Sequence, residues 1–123
     1  MDGFNLAGAG ITIAMGCLGL FFPGRASALT GLTATTPEAR GEFRGTLGIT
    51  FILLGLAPAV TDSPAAYLAV GAAWAGAGLG RMVSIFLDDA RTGKNWAAVG
   101  FELALGGLMI SGAPFQALVQ GLR

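Results

Sequence analysis

The sequence predicts an all-α fold, a four-helix transmembrane bundle with antiparallel neighbours and both termini on the non-cytoplasmic side. Three observations carry this. Apolar residues make up 54% of the chain and charged ones 11%, with a mean hydropathy of +0.70, whereas soluble domains carry about 25% charged residues. Stretches free of charge cover Gly3 to Gly24, Gly45 to Thr61, Ser63 to Gly80 and Leu103 to Leu122, each near or above the ~18 apolar residues that mark a membrane span. The 21 glycines would weaken helices in water, but in lipid they let backbones approach where no hydrophobic effect drives association.

The first helix is expected over about residues 4–22, broken by Pro23-Gly24, because proline lacks the donor and glycine tolerates left-handed geometry. Ala26, Ser27 and Ala28 mimic a signal-peptidase site, but Asp2 stands where positive charge is expected and the apolar run exceeds the usual ~7–15 residues, so a retained helix is the reading. Arg25 to Thr36 is a polar connector with room for a short interfacial turn near Ala26 to Leu29. Thr36-Pro37 and Ser63-Pro64 each pair an N-cap with a proline at the first helical position, which places the second and third helices over about residues 37–60 and 64–87. Asp88-Asp89 and the Arg91 to Lys94 loop end the third helix, and Asn95 is the expected cap of a fourth over about residues 95–112. Pro114 then kinks that helix or starts a short tail over residues 113–123. The whole reads as a single transmembrane domain, 1–123.

Short connections make neighbouring helices antiparallel. Arg25, Arg40, Arg91 and Lys94 then lie on one side, against Arg123 and the amino terminus on the other, so the positive-inside rule puts both termini outside the cytoplasm.

Several function classes are excluded by what is missing. Seven basic and seven acidic residues cancel, and no Lys/Arg stripe alternates with aromatics, so no nucleic-acid partner is expected. The chain has no histidine and one cysteine, Cys17, which leaves no disulfide and no ligand set for zinc, an iron–sulfur cluster or His-ligated haem. Neither metal nor cofactor is expected, and Cys17 reads as a small packing residue. With no histidine base, no phosphate loop and its one lysine, Lys94, in a connector, the chain is not expected to be an enzyme.

Two patterns remain as candidate sites. Glycine spacing marks Gly8, Thr12, Gly16 and Gly19 on the first helix, Gly41, Gly45 and Gly48 on the second, and Gly76 and Gly80 on the third as helix-packing stripes, expected to serve mostly inside the chain. Charge marks Glu42, Arg44, Arg81 and Glu102, charged residues within the predicted helices. Counting ~1.5 Å per residue from the helix ends, Arg44, Arg81 and Glu102 fall at one depth. A lone ion there would cost several kcal/mol, of order 3 on insertion scales, so an intramembrane ion-pair cluster is expected, structural or binding in purpose. Glu42 and Arg44 are ~200° apart around their helix, and Arg44, beside the glycine stripe, is the inward member. Arg81, Ser84 and Asp88 share a face and form a polar ladder towards the cytoplasmic loop.

At these residues the sequence resembles a known family. The segments Arg40-Gly41-Glu42-Phe43-Arg44-Gly45-Thr46-Leu47-Gly48 and Gly80-Arg81-Met82-Val83-Ser84-Ile85-Phe86-Leu87-Asp88, followed by Phe101-Glu102, resemble a domain-of-unknown-function family of short bacterial four-helix inner-membrane proteins. Arg44-Gly45, Gly80-Arg81 and Glu102 match its recurring elements, with Asp89 where a glycine is expected after Asp88. The resemblance implies a fold and a location in the bacterial inner membrane, multi-pass, and it assigns no activity.

The expected function is that of a non-enzymatic accessory or scaffold subunit of a larger membrane complex or homo-oligomer, whose partners are the lipid bilayer and a membrane protein or a second copy. The alternative is a small transporter or a lipid-, anion- or proton-binding protein that uses the Arg/Glu cluster. The orientation is testable: a cysteine introduced at Thr92 should react with impermeant reagents only from the cytoplasm, and one at Asp2 only from outside. Labelling of position 92 in intact cells would reverse the topology.

Overall fold

A computed structural model describes all 123 residues. Six helices and no strand make up the chain: α1 (Gly3–Phe21), α2 (Pro23–Thr30), α3 (Pro37–Thr61), α4 (Pro64–Leu87), α5 (Gly93–Ile110) and α6 (Ala113–Gly121). The all-α class is as predicted, but the helix count is six rather than four. Both additional helices arise at prolines. Pro23 does not simply end α1; it opens α2, where its missing N–H costs nothing. Gly24 therefore lies inside a helix, and the left-handed residue is Gly31, with φ 81°. Likewise Pro114 sits in the first turn of α6 and is buried.

Thr36 and Ser63 cap α3 and α4 as expected, accepting from the N–H groups of Ala39 and Ala66. Asn95 is not the cap of α5. Thr92 is, its hydroxyl accepting from the Asn95 N–H at 3.2 Å, which moves the start of α5 to Gly93 and frees the Asn95 side chain. After α4, Asp89 adopts φ 51°, a left-handed conformation that glycine takes without strain and aspartate tolerates better than most residues. The departure from an expected glycine therefore falls at a position that calls for one.

Three helices, α1, α3 and α4, are long and apolar enough to cross a membrane, or four spans result if α5 and α6, bent by 74°, count as one. Large apolar side chains such as Phe4, Ile11, Leu53, Leu56, Leu79 and Val83 are exposed along them. That surface suits lipid and would drive aggregation in water.

The chain forms two compact units, Ala9–Val60 and Met1–Gly8 with Thr61–Arg123. In the first, α1 and α3 run antiparallel in backbone contact. A Cβ at Gly19 would lie 2.2 Å from the Leu47 carbonyl oxygen, one at Gly16 2.6 Å from the Ile52 nitrogen, and one at Gly55 2.6 Å from the Ala9 carbonyl oxygen. As positions rise along α1 their partners fall along α3. A π-helical turn, Gly45–Ile49, interrupts α3, closed by the Thr50 N–H on the Gly45 carbonyl, and a Cβ on Gly48 within it would lie 3.0 Å from the Leu20 backbone. Further on, Pro58 is buried inside the helix.

In the second unit α4 and α5 pack antiparallel around Tyr67, Val70, Trp74, Ile85, Val99, Leu105 and Met109. Trp74 meets Phe101 edge-on at 6.0 Å. Close approach falls at Gly71, Gly78 and Gly106: a Cβ on Gly106 would stand 2.8 Å from the Gly71 carbonyl oxygen. The start of α1 closes the far end. Asp2 and Asn5 exchange side-chain-to-backbone hydrogen bonds at 3.0 and 3.2 Å, a reciprocal cap. The fully buried Asn5 amide then donates to the carbonyls of Leu108, Met109 and Ser111 at 3.0–3.2 Å, satisfying carbonyls that the end of α5 leaves without partners. Next comes Gly112, with φ 70°, a conformation that glycine takes without strain and side chains rarely adopt.

Of the eight glycines expected to pack helices, Gly8, Gly16, Gly19 and Gly48 do so. A Cβ on Gly41, Gly45, Gly76 or Gly80 would meet nothing within 4 Å, and the further close contacts inside this chain belong to Gly55, Gly71, Gly78 and Gly106. Gly19→Ala should therefore destabilise the protein by about 1–3 kcal/mol through forced backbone separation, while Gly76→Ala should be neutral or gain up to ~1 kcal/mol of helix propensity. Unfolding in mixed detergent micelles measures both, and equal effects would contradict the packing described.

Candidate functional site

The one buried acidic side chain, Glu102, lies midway along α5. It reaches a partner because Gly78, one turn before Arg81, lets α5 come close: a Cβ there would sit 2.9 Å from Leu103 and 3.4 Å from the Glu102 Cβ. With the helices antiparallel, Arg81 then faces Glu102. Its Nη2 donates to Oε1 at 2.9 Å, and its Nε to Oε1 and Oε2 at 3.3 and 3.2 Å. Arg81 Nη1 donates to Asn95 Oδ1 at 3.2 Å, and the Asn95 amide in turn donates to the Ala90 carbonyl at 3.0 Å. A chain of polar contacts thus runs from the middle of α5 to the α4–α5 connection.

Fork-shaped pairing of a guanidinium with a carboxylate is the strongest common form of ion pair. At membrane depth the alternative, an unpaired ion, is what makes it necessary. The pair is not fully closed. The Glu102 side chain is 10% exposed and that of Arg81 31%, and two of the five guanidinium N–H groups have no acceptor within the chain.

Glu42 and Arg44 of the expected cluster belong to the Ala9–Val60 unit. Arg44 donates to the Leu20 carbonyl and is exposed. Glu42 accepts from the Thr46 hydroxyl at 3.0 Å and is also exposed. Arg44 is thus exposed and not the inward member of the Glu42/Arg44 pair: azimuth along this helix is a poor guide, since the π turn shifts the phase between Arg44 and the glycines beyond it. Ser84 donates to Asp88 at 2.6 Å on its own helix, so the polar ladder is broken at Arg81, which turns to α5. Asn95 is a partner that the sequence reading misses. Its signal is present, seven residues before Glu102 and hence on the same helical face.

At the α4–α5 end, Arg91 pairs with Asp89 at 2.6 Å and lies 5.7 Å from the Phe86 ring centroid, and Phe86 meets Trp96 edge-on at 6.2 Å. Aromatic and basic residues so grouped are typical of the headgroup level. No three Cys, Asp or Glu side chains come together as a metal site. Cys17 is half-buried and carries a free thiol. A small apolar pocket lies between α1, α2 and α3, lined by Met15, Leu18, Leu29, Leu47 and Phe51.

An all-helical chain with three or four helices apolar and long enough to span a bilayer, and a charge-compensated pair between two of them, has the build of a small polytopic membrane protein. More particularly, it belongs to the family described as Domain of unknown function (DUF4345), whose model matches residues 4–113. Neither a curated protein nor a solved structure is significantly similar to it.

The Arg81–Glu102 pair sets a coupling test. Glu102→Leu should cost about 3–5 kcal/mol by stranding the guanidinium, Glu102→Gln less, and Arg81→Leu added to Glu102→Leu should recover part of the loss, with a coupling of roughly 0.5–3 kcal/mol. Arg44→Leu should recover none. Unfolding of the single and double variants in detergent decides, and additive effects at Arg81 and Glu102 would rule out a stabilising contact.

Proposed function

We propose that this protein is a multi-pass component of the bacterial inner membrane, with both termini outside the cytoplasm, that acts as a non-enzymatic accessory or scaffold subunit. The observation that carries this reading is an open helix face. On α4, Ala69, Ala72, Ala73, Gly76 and Gly80 fall within an arc of ~100° and are all exposed. They lie opposite the face that holds Tyr67, Trp74, Gly78 and Ile85, which is buried. Small residues in such a row suit the close approach of another membrane helix. The charged groups, by contrast, are largely spent on one another, as in a structural role.

One observation favours the alternative, a protein that holds an anion, a lipid phosphate or a proton. The two unspent N–H groups of Arg81, partly exposed at membrane depth, suit a phosphate oxygen.

Native mass spectrometry after purification in gentle detergent separates the two. The scaffold reading expects a second copy or a second protein at fixed stoichiometry, lost on Gly76→Leu and kept on Arg81→Leu paired with Glu102→Leu. A monomer that instead retains anionic phospholipid, and loses it on that double substitution alone, would replace scaffold with binding.

A further inference from the structure

The bent end of the second unit has a geometry that a membrane span does not need. α5 contains 18 residues, ~27 Å at 1.5 Å per residue, close to the ~30 Å hydrocarbon thickness. Its first turns carry Lys94 and the exposed Trp96, beside Arg91, which mark one headgroup boundary, and Ile110, ~21 Å beyond Trp96, stands in the opposite leaflet. Beyond it α6 departs at 74°. Nine residues at that angle advance only ~4 Å along the α5 axis, too little to add to a crossing.

The side chains of α6 divide into three sectors. Pro114 is buried and Ala117 half-buried, on the side that packs against α4 and α5. Phe115, Leu118 and Leu122 fall within ~60° of one another and are 52%, 43% and 80% exposed. Gln116 and Gln120 occupy the third sector, also exposed, with the exposed Arg123 just past the helix end. A helix crossing the bilayer would have no use for a glutamine edge, and one in water none for a Phe/Leu/Leu edge. We infer that α6 is an interfacial helix that lies in the plane of the membrane surface, its Phe115/Leu118/Leu122 edge in the acyl region of one leaflet and its glutamine edge in water. Its partner is the lipid surface itself. The apolar edge suits the acyl chains that also meet the exposed apolar side chains of α4, and Arg123 complements phosphate headgroups. Held at that level by Asn5 on the end of α5 and by the left-handed Gly112, α6 fixes how deep α5, and with it Glu102, sits in the bilayer.

This inference rests on the chain residing in a bilayer but not on an accessory role. Its test uses the full chain with Cys17→Ser, reconstituted in vesicles of phosphatidylethanolamine and phosphatidylglycerol, with single cysteines at Phe115, Gln116, Leu118, Gln120 and the mid-span, exposed Leu79, each carrying a nitroxide. Collision rates with oxygen and with a water-soluble nickel chelate report depth. Positions 115 and 118 should favour oxygen and positions 116 and 120 the chelate, each by several-fold, while position 79 favours oxygen most. Depth that grows steadily from 115 to 120 up to the value at 79 would make α6 part of a span and overturn the inference. Equal chelate access at all four would place it in water and do the same. If position 79 is itself open to the chelate, the membrane reading fails instead.

Discussion

Helices surrounded by lipid gain nothing by hiding apolar surface from one another, since the acyl chains are as apolar as leucine. What remains is contact at short range, and in this protein that contact is backbone against backbone. Gly16, Gly19 and Gly55 bring α1 and α3 together, and Gly71, Gly78 and Gly106 do so for α4 and α5. At each of these positions even a methyl group would meet main-chain atoms or a side chain at 3 Å or less, where no rotamer change of the added group gives relief. The charged pair depends on this in turn. Glu102 has a short stem, and it meets Arg81 because Gly78 lets the two helices approach at the level where the pair forms.

The polar residues of the second unit are economical in the same sense. Asn5 spends its amide on three carbonyls at the end of α5. Asn95 bridges a guanidinium and a loop carbonyl. Each stands where a helix end or an ion would otherwise be unsatisfied in a medium without water, where an unmet hydrogen bond costs several kcal/mol, of order 4 or more. That Arg81 nonetheless keeps two N–H groups unspent is the exception that gives the binding alternative its interest.

Much of this is readable from the residues. Thr36-Pro37 and Ser63-Pro64 set helix starts because capping is a local matter decided within four residues. The meeting of Arg81 with Glu102 is readable because depth along antiparallel helices comes from counting. Azimuth is harder. A chain with 21 glycines offers small-residue spacings on every side of its helices, so the pattern at Gly41 and Gly45 or Gly76 and Gly80 is as regular as that at Gly71 and Gly78, and only the fold tells which face meets a neighbour. Pro23 misleads for a related reason: a proline that stops one helix is equally suited to begin the next, and eight residues before Gly31 are enough for α2.

The π turn at Gly45–Ile49 holds one residue more than a regular helix would over the same rise. It therefore acts as a phase shifter of ~100° between the polar stretch containing Glu42 and Arg44 and the glycines at 48 and 55 that lie against α1. A deletion anywhere else in α3 would swing one flank out of phase with its neighbours, whereas a deletion inside this turn converts it to ordinary α-helix with both flanks left in place. Losing one residue here other than Gly48, which lies against Leu20, is a change of length that the helix geometry can absorb.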